Sequence, residues 1–235
     1  MLKKFINGLT KVSKPVFDFV IPPICLHCEL PLRSGEKYLC EKCTKSIAKI
    51  DNKSNADLIR IKSSKLITNA YSLFLFTEGT AIQTLLHHLK YGQMRKIGRE
   101  YGKKLAEDVL KPENLNADFI VPVPLHISKK RERGYNQSDF MCEGIGKVLQ
   151  VPLLIKSLKR KKLTQTQTKL TREERRENVR GAFGIRKKYI QTIQDKNIIL
   201  VDDVITTGST IIECAGILKS TGCGDITVCS IALAE

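Results

Sequence analysis

Apolar residues follow two rhythms along the 235 residues of this chain. From about residue 68 onward, short apolar runs alternate with stretches whose apolar positions recur at i, i+3 and i+4. These are the signatures of buried strands and amphipathic helices. Ala70–Phe76 (AYSLFLF), Asp118–Val123, Pro152–Ile155, Asn197–Val201 (NIILV) and Asp225–Leu233 read as strands. Thr80–Lys90, Met94–Leu110, Asn136–Leu149 and Ser209–Lys219 read as helices. Pro124 stops the second strand, because proline cannot donate to a sheet ladder. Strands that alternate with helices predict right-handed βαβ units, hence an α/β fold with a mostly parallel sheet flanked by helices. No internal repeat is visible.

The pattern is weaker elsewhere. Residues 1–24 alternate apolar and basic residues at roughly helical spacing and predict a short amphipathic helix ending at Pro22-Pro23. That helix would either pack on the domain or offer a face to a membrane or partner. Residues 51–67 (DNKSNADLIRIKSSKLI) read as a polar linker. Lys156–Arg180 is rich in Lys and Arg and lacks an apolar cluster, so it reads as a mobile loop with room for one helical turn. The expected organisation is a helix and cysteine module over 1–50, a linker over 51–67 and an α/β domain over 68–235.

The formal net charge is +16, with a pI near 9.5. Such an excess implies polyanionic company, either nucleic acid or phosphorylated small molecules. No window approaches 18 consecutive apolar residues, so no membrane span is expected. The start, MLKKFINGLTKVSKP, lacks the apolar core of a secretory signal, and the expected compartment is the cytoplasm. A disulfide framework is not expected there. Cys142, Cys214, Cys223 and Cys229 stand singly and read as buried thiols.

The other four cysteines form Cys25-x2-Cys28 and Cys40-x2-Cys43, with 11 residues between the pairs. Each pair can form a knuckle offering two thiolates, and four thiolates make a closed tetrahedral site. Structural zinc is favoured over an iron–sulfur cluster or disulfides. A closed site leaves no open position for catalysis. His27 reads as a bystander. Lys37, Lys42 and Lys45 sit near the module and suit a partner or nucleic acid.

The clearest chemistry lies in Ile198–Thr210 (IILVDDVITTGST). In a parallel sheet, ligands bind beyond the carboxyl ends of the strands. Asp202 and Asp203 follow an apolar strand there, and adjacent carboxylates need a partner. The vicinal hydroxyls of a ribose can each donate to one, and a divalent cation can help. Thr206, Thr207, Gly208, Ser209 and Thr210 come next. Gly208 permits a tight turn, and the helix beginning near Ser209 aims free N–H groups and its positive dipole end at the loop. Diol at one end and phosphate at the other spell ribose 5-phosphate. A Walker B strand would also place acids here, but it needs a GxxxxGK[ST] loop, and Gly98–Lys104 is one residue short of it and lacks Ser or Thr.

This segment resembles the phosphoribosyl pyrophosphate (PRPP) motif of type I phosphoribosyltransferases. Its neighbours resemble the ComF family: IVPVPL at Ile120–Leu125, RERGYNQ at Arg131–Gln137, LTQTQT at Leu163–Thr168, and ERRENVRGAF at Glu174–Phe183. The cysteine module stands where that family carries a zinc ribbon. The resemblance covers roughly residues 17–235. It implies a type I phosphoribosyltransferase fold, related to the PRPP domain of amidophosphoribosyltransferase, with Mg2+ accompanying PRPP. It also implies binding of single-stranded DNA, a role in DNA uptake during natural transformation, and competence-machinery proteins as partners.

The resemblance further assigns the turn Pro124-Leu125-His126 to the pyrophosphate loop, with Lys129, Lys130, Arg131 and Arg133 behind it. Arg160–Arg180 matches the loop that closes over PRPP, a closure that excludes water. Arg131, Arg133 and Arg160 are expected to meet phosphate, whereas Lys187-Lys188 reads as a solvated face. His126 has no identifiable acceptor to make it a general base, and His87-His88 read as structural. Lys90-Tyr91-Gly92 is a weak candidate for another site loop. If transfer from PRPP occurs, Asp202 and Asp203 would be its catalytic residues. Against turnover, the chain ends two residues after the last expected strand with no segment to select a nucleobase, and no glutaminase precedes it.

Overall fold

The computed structural model describes residues 23–162 and 172–234. The expected helix over 1–24 and the LTQTQT segment therefore lie outside the described residues. In chain order the elements are α1 (Glu41–Lys45), α2 (Ala56–Lys62), β1 (Asn69–Phe76), α3 (Ala81–Tyr91) and α4 (Arg95–Leu105). They continue with β2 (Phe119–Pro122), α5 (Ile127–Arg133), α6 (Gln137–Leu149), β3 (Leu158–Arg160), α7 (Arg172–Val179) and β4 (Phe183–Ile185). The last are α8 (Ile190–Ile193), β5 (Ile198–Ile205), α9 (Ser209–Lys219) and β6 (Ile226–Ala234).

Four strands form one parallel sheet in the order β1-β6-β5-β2. Successive side chains of a strand point to opposite faces, and both faces are buried. Ile199 and Val201 of β5 pack with Ile120, Cys229 and Ile231 under α3, α4 and α6. Ile198 and Leu200 pack on the other face with Val121, Val228, Phe183, Leu58 and Ile61, under α9 and α2. Burial on both faces explains why these strands read as continuous apolar runs. This is the α/β class with a parallel sheet that the sequence predicts.

The cysteine module is continuous with the first layer. Cys25, Leu39, Cys43 and Ile47 share a core with Phe74 and Leu85. Lys49 bridges Phe74 at the free edge of β1, and Leu75 donates its N–H to Ala48 O at 2.9 Å.

Three segments depart from expectation. Residues 51–67, read as linker, contain α2. The Asn55 side chain caps it by accepting from Asp57 N and Leu58 N, each at 3.1 Å. Only two of its residues, Leu58 and Ile61, are buried, too few apolar positions for the pattern to show. Pro152–Ile155 makes only an isolated bridge, Leu153 to Ile120, because Pro152 has no N–H to extend the ladder. Part of Lys156–Arg180, read as a mobile loop, is structured: β3 pairs antiparallel with β4, and α7 precedes β4.

One close approach sets the position of α6. A Cβ on Gly102 of α4 would lie 2.3 Å from Met141 O, and one on Gly144 of α6 would lie 2.2 Å from Arg99 O. The two helices touch backbone to backbone through reciprocal glycines. That contact fixes the N-terminus of α6 at the sheet's carboxyl edge. Among the described residues, no helix is long and apolar enough to cross a membrane.

Candidate functional site

β5 runs to Ile205, four residues beyond the expected strand end, so Asp202 and Asp203 lie within it. Aspartate disfavours strands, but pairing with β6 continues through Asp202–Ser230 and Ile205–Leu233. The ladder outweighs local preference, and the strand's alternation then separates the two acids. Asp203 shares the face of Ile199 and Val201. Asp202 shares that of Ile198 and Leu200.

Asp203 is buried, 6% exposed. Its Oδ2 accepts from Gln137 Nε2 at 2.9 Å and lies 3.2 Å from Lys90 Nζ. Its Oδ1 accepts from Val204 N at 2.8 Å. Burial opposes its charge, but Lys90, Gln137 and Arg133 outweigh burial and hold the carboxyl below its ordinary range. Asp202 is less well supplied. Its Oδ1 accepts from Asp203 N at 2.9 Å and from Ser138 Oγ at 3.4 Å. Burial, and then the Asp203 charge, push it up to about 7 against the pull of Lys90 and Arg160. The pair therefore holds one firmly charged carboxylate and one that titrates near neutrality. Gln137 Oε1 is buried without a partner among the described residues, so an acceptor stands beside the acids.

The loop Thr206–Gly208 follows directly and leads into α9. Gly208 adopts φ +77°, a left-handed conformation, and a Cβ there would lie 2.9 Å from Ile61 Cγ1. Thr207 Oγ1 and Ser209 Oγ are 2.9 Å apart. The first N–H groups of an α-helix have no intrahelical partner, so α9 faces the loop with donors. From α2, Arg60 Nη1 donates to Thr207 O at 3.1 Å while its Nη2 pairs with Asp57 at 2.7 Å. The helix in the presumed linker thus braces this loop.

β2 lies beside β5, so Leu125 and His126 emerge at the same sheet edge as the acids. His126 caps α5: its Nδ1 accepts from Ser128 N at 3.3 Å. Arg133 is half-buried at the end of α5. Its Nη2 donates to Tyr91 Oη at 3.2 Å, its guanidinium lies 5.0 Å from the Tyr91 ring centroid, and its charge reaches Asp203. Arg160, at the end of β3, stacks 5.0 Å from the Phe183 centroid, and its charge reaches Asp202. Arg131 is exposed and is not drawn into this cluster. The structure also places Lys90, Gln137, Ser138 and Arg60 at the site. Lys90 carried a faint signal in the Lys-Tyr-Gly tripeptide, and Gln137 stood in the RERGYNQ segment, whereas Ser138 and Arg60 carried none.

At the other end, the Sγ atoms of Cys25, Cys28, Cys40 and Cys43 all lie within 4.8 Å of one another. Cys28 Sγ and Cys40 Sγ are 3.7 Å apart. Tetrahedral thiolates about 2.3 Å from one ion would be separated by roughly 3.8 Å, so the cluster can hold a metal such as zinc. Cys40 N donates to Cys25 Sγ at 3.3 Å. Burial opposes the Cys25 thiolate, but N–H groups of Cys28, Cys40 and His27 outweigh it and hold its pKa at about 6. His27 binds Thr84 Oγ1 through Nδ1 at 3.0 Å and is outside the cluster.

Fold and sites together define a parallel α/β protein with an acid pair and loop at the sheet's carboxyl edge and an N-terminal four-cysteine module. The chain belongs to the ComF family. Competence protein F of Haemophilus influenzae is 32% identical to it over 229 residues, spanning 97% of this chain and 91% of that protein. DNA utilization protein YhgH of Escherichia coli is 27% identical over 88% of this chain and 96% of its own length. Competence protein ComFC of Bacillus subtilis is 22% identical over 82% of this chain and 78% of its own. Among solved structures, the glutamine PRPP amidotransferase of B. subtilis aligns over 60% of this chain with 17% identity and a TM-score of 0.41. This chain spans 30% of that enzyme's length. Adenine phosphoribosyltransferase of Leishmania tarentolae aligns over 66% of this chain and 75% of its own, with 12% identity and a TM-score of 0.36. No protein-family model matches the chain.

Proposed function

We propose that this protein binds PRPP or a closely related phosphorylated ribose at the β5 edge, binds single-stranded DNA through its basic surface, and acts in DNA uptake for natural transformation. The names of its relatives, competence and DNA utilization proteins, support the process. One observation carries the ligand: two adjacent carboxylates, one held charged by Lys90 and Gln137, stand directly before a glycine-hinged loop at a helix N-terminus. A ribose diol donates to Asp202 and Asp203, and the 5-phosphate accepts from Thr206, Thr207, Gly208, Ser209 and Thr210. Leu125 and His126 supply the neighbouring loop, and Arg133 and Arg160 the cationic surroundings of the diphosphate. Mg2+ would accompany the diphosphate, and the four cysteines would hold structural zinc. The site of action is the cytoplasm, with competence-machinery proteins as partners.

Calorimetric titration of PRPP with Mg2+ tests the reading. The wild type should bind, and the double variant Asp202→Ala/Asp203→Ala should lose at least tenfold in affinity. Equal binding by both would refute the acid-pair site. An active transferase is the second reading. Arg133 and Arg160 favour it, because each reaches one acid and could hold a leaving diphosphate. Pyrophosphate release from PRPP, measured with bases, amines and DNA ends as acceptors, would establish that activity. Its absence with all of them would remove it.

A further inference from the structure

The excess positive charge is unevenly placed. On α4, most basic residues face acids: Arg99 pairs with Glu143 at 2.5 Å, Lys103 with Glu107 at 3.5 Å and Lys104 with Asp108 at 2.6 Å. Nearby, Glu100 takes Lys37 at 2.6 Å. That face offers little net field to a polyanion. Basic side chains without an ion pair among the described residues occur elsewhere, Arg186, Lys187 and Lys188 among them, but two segments carry them beside the acid pair. Lys129 and Arg131 on α5, and Lys159 and Lys161 on and just after β3, form no ion pair among the described residues. Apart from Lys129, which is partly covered, all of them are exposed. Helix α5 buries none of its own residues, so its charges serve no packing need.

These two segments flank the acid pair from opposite sides of the sheet. Arg133 ends α5 and reaches Asp203, whose face belongs to the α3/α6 layer. Arg160 ends β3 and reaches Asp202, whose face belongs to the layer of α9 and β4. The cationic surface therefore runs from α5, past the acid pair at the sheet's carboxyl edge, to the paired strands β3 and β4.

The geometry points to a path for single-stranded DNA that crosses the sheet edge above the acid pair, with α5 gripping one side and β3 the other. This deepens, and rests on, the single-stranded DNA reading above. Three observations choose a single strand over a duplex. The surface turns from one face of the sheet to the other, and duplex DNA, with a persistence length of about 50 nm, resists so tight a turn. Tyr91, 48% exposed beside Arg133, offers a ring to an unpaired base. The acids at the sheet edge would repel phosphates and suit a vicinal diol, which deoxyribose lacks. The polymer stays at the rim, and the ribose ligand lies beneath it. Binding of a phosphorylated ligand there brings negative charge under the strand, so each should weaken the other by the same factor.

The test uses full-length protein and a fluorescein-labelled oligodeoxythymidine, read by anisotropy across a salt series. Three double reversals carry the same change in net charge: Lys129→Glu/Arg131→Glu on α5, Lys159→Glu/Lys161→Glu at β3, and Lys103→Glu/Lys104→Glu on α4 as control. Circular dichroism confirms that each is folded. The α5 and β3 variants should each lose at least tenfold in affinity, and the salt slope should flatten by about 1.4 for two lost contacts of roughly 0.7 each. The α4 variant should stay within threefold of wild type. Saturating PRPP with Mg2+ should weaken oligonucleotide binding to the wild type.

If the wild type fails to bind the oligonucleotide even at low salt, the single-stranded DNA reading itself falls. If the wild type binds but the α4 variant loses as much as the others, or only one flank matters, the path is wrong and the reading stands. Independence from PRPP would overturn the crossing above the acid pair. Equal affinity for a duplex of the same length would overturn the choice of strand.

Discussion

The four cysteines and the two aspartates pose one physical problem, the crowding of like-charged ligand atoms, and the protein solves it differently at each end. At the cysteine module, local backbone does much of the work. The knuckles come from short spacings, N–H groups of neighbouring residues turn toward sulfur, and four Sγ atoms lie within 4.8 Å of one another. The remaining repulsion among them is of the kind a bound metal cation would relieve. At the acid pair the cation is already present, because Lys90 reaches Asp203 from α3 and Gln137 reaches it from α6. Relief there is long-range and partial, since Asp202 is left pushed up to about 7. The cluster whose relief would come from a bound metal is the one that should require it to fold. The half-relieved pair should fold unaided but accept a ligand readily.

The largest expected effect therefore comes from the module. Structural zinc in small domains contributes on the order of 10 kcal/mol, and here Cys25 and Cys43 are buried in the core that contains Phe74 and Leu85. Chelation, or Cys43→Ser, should release one equivalent of zinc and lower the melting temperature of the sheet domain by several degrees or more. Calorimetry with parallel zinc analysis measures both. A module that loses zinc while the sheet melts unchanged would show that the shared core carries no coupling.

Next in size is Lys90→Met, which keeps the stem and removes the charge. Breaking a buried ion pair from one side costs about 3–5 kcal/mol. Lys90 keeps a quarter of its side chain exposed, so about 2–3 kcal/mol is expected at pH 8. At pH 5 the cost should shrink, because Asp203 can then escape by protonation. Denaturant titrations at the two pH values decide it. A loss equal at both would mean that Lys90 acts through packing alone.

These two clusters also differ in how far the sequence discloses them. The cysteine spacing and the DDVITTGST run are local, and local spacing survives in the chain as written. The supports of the acid pair are not local. Lys90 is 113 positions from Asp203 and Gln137 is 66 (203 − 90 and 203 − 137). Nothing in a helical periodicity says which helix end will meet which strand end. Arg60 was hidden for another reason: the short amphipathic α2 buries only Leu58 and Ile61, and its polar flanks read as linker. The extension of β5 through two aspartates was missed because the ladder to β6 overrides residue preference. The meeting of Gly102 and Gly144 backbone to backbone is likewise a long-range fact that helical periodicity does not carry.

The smallest effect, and the sharpest for the comparison, belongs to Asp202. Its carboxyl is raised from an ordinary value of 3.8 to about 7 in the folded protein. A carboxyl raised on folding binds its proton more tightly in the folded state. Its contribution to stability is therefore full below about 4 and is lost as pH rises through 7. Asp203 is shifted the other way, so its own loss comes below its ordinary value, outside that window. Asp202→Asn should remove the slope between pH 4 and 7. Relative to wild type, the ligand-free variant should be unchanged near pH 4.5 and more stable at pH 8, by on the order of 1–3 kcal/mol. The same variant should bind PRPP worse at pH 8, where the wild-type carboxylate is charged and ready to accept from a hydroxyl. Stability gained with affinity lost would mean that the strain at Asp202 exists for the ligand. If stability fell at pH 8, the hydrogen bonds from Ser138 and the Asp203 N–H would outweigh the repulsion, and the acid pair would be fully relieved within the protein, as a metal-filled cysteine cluster is.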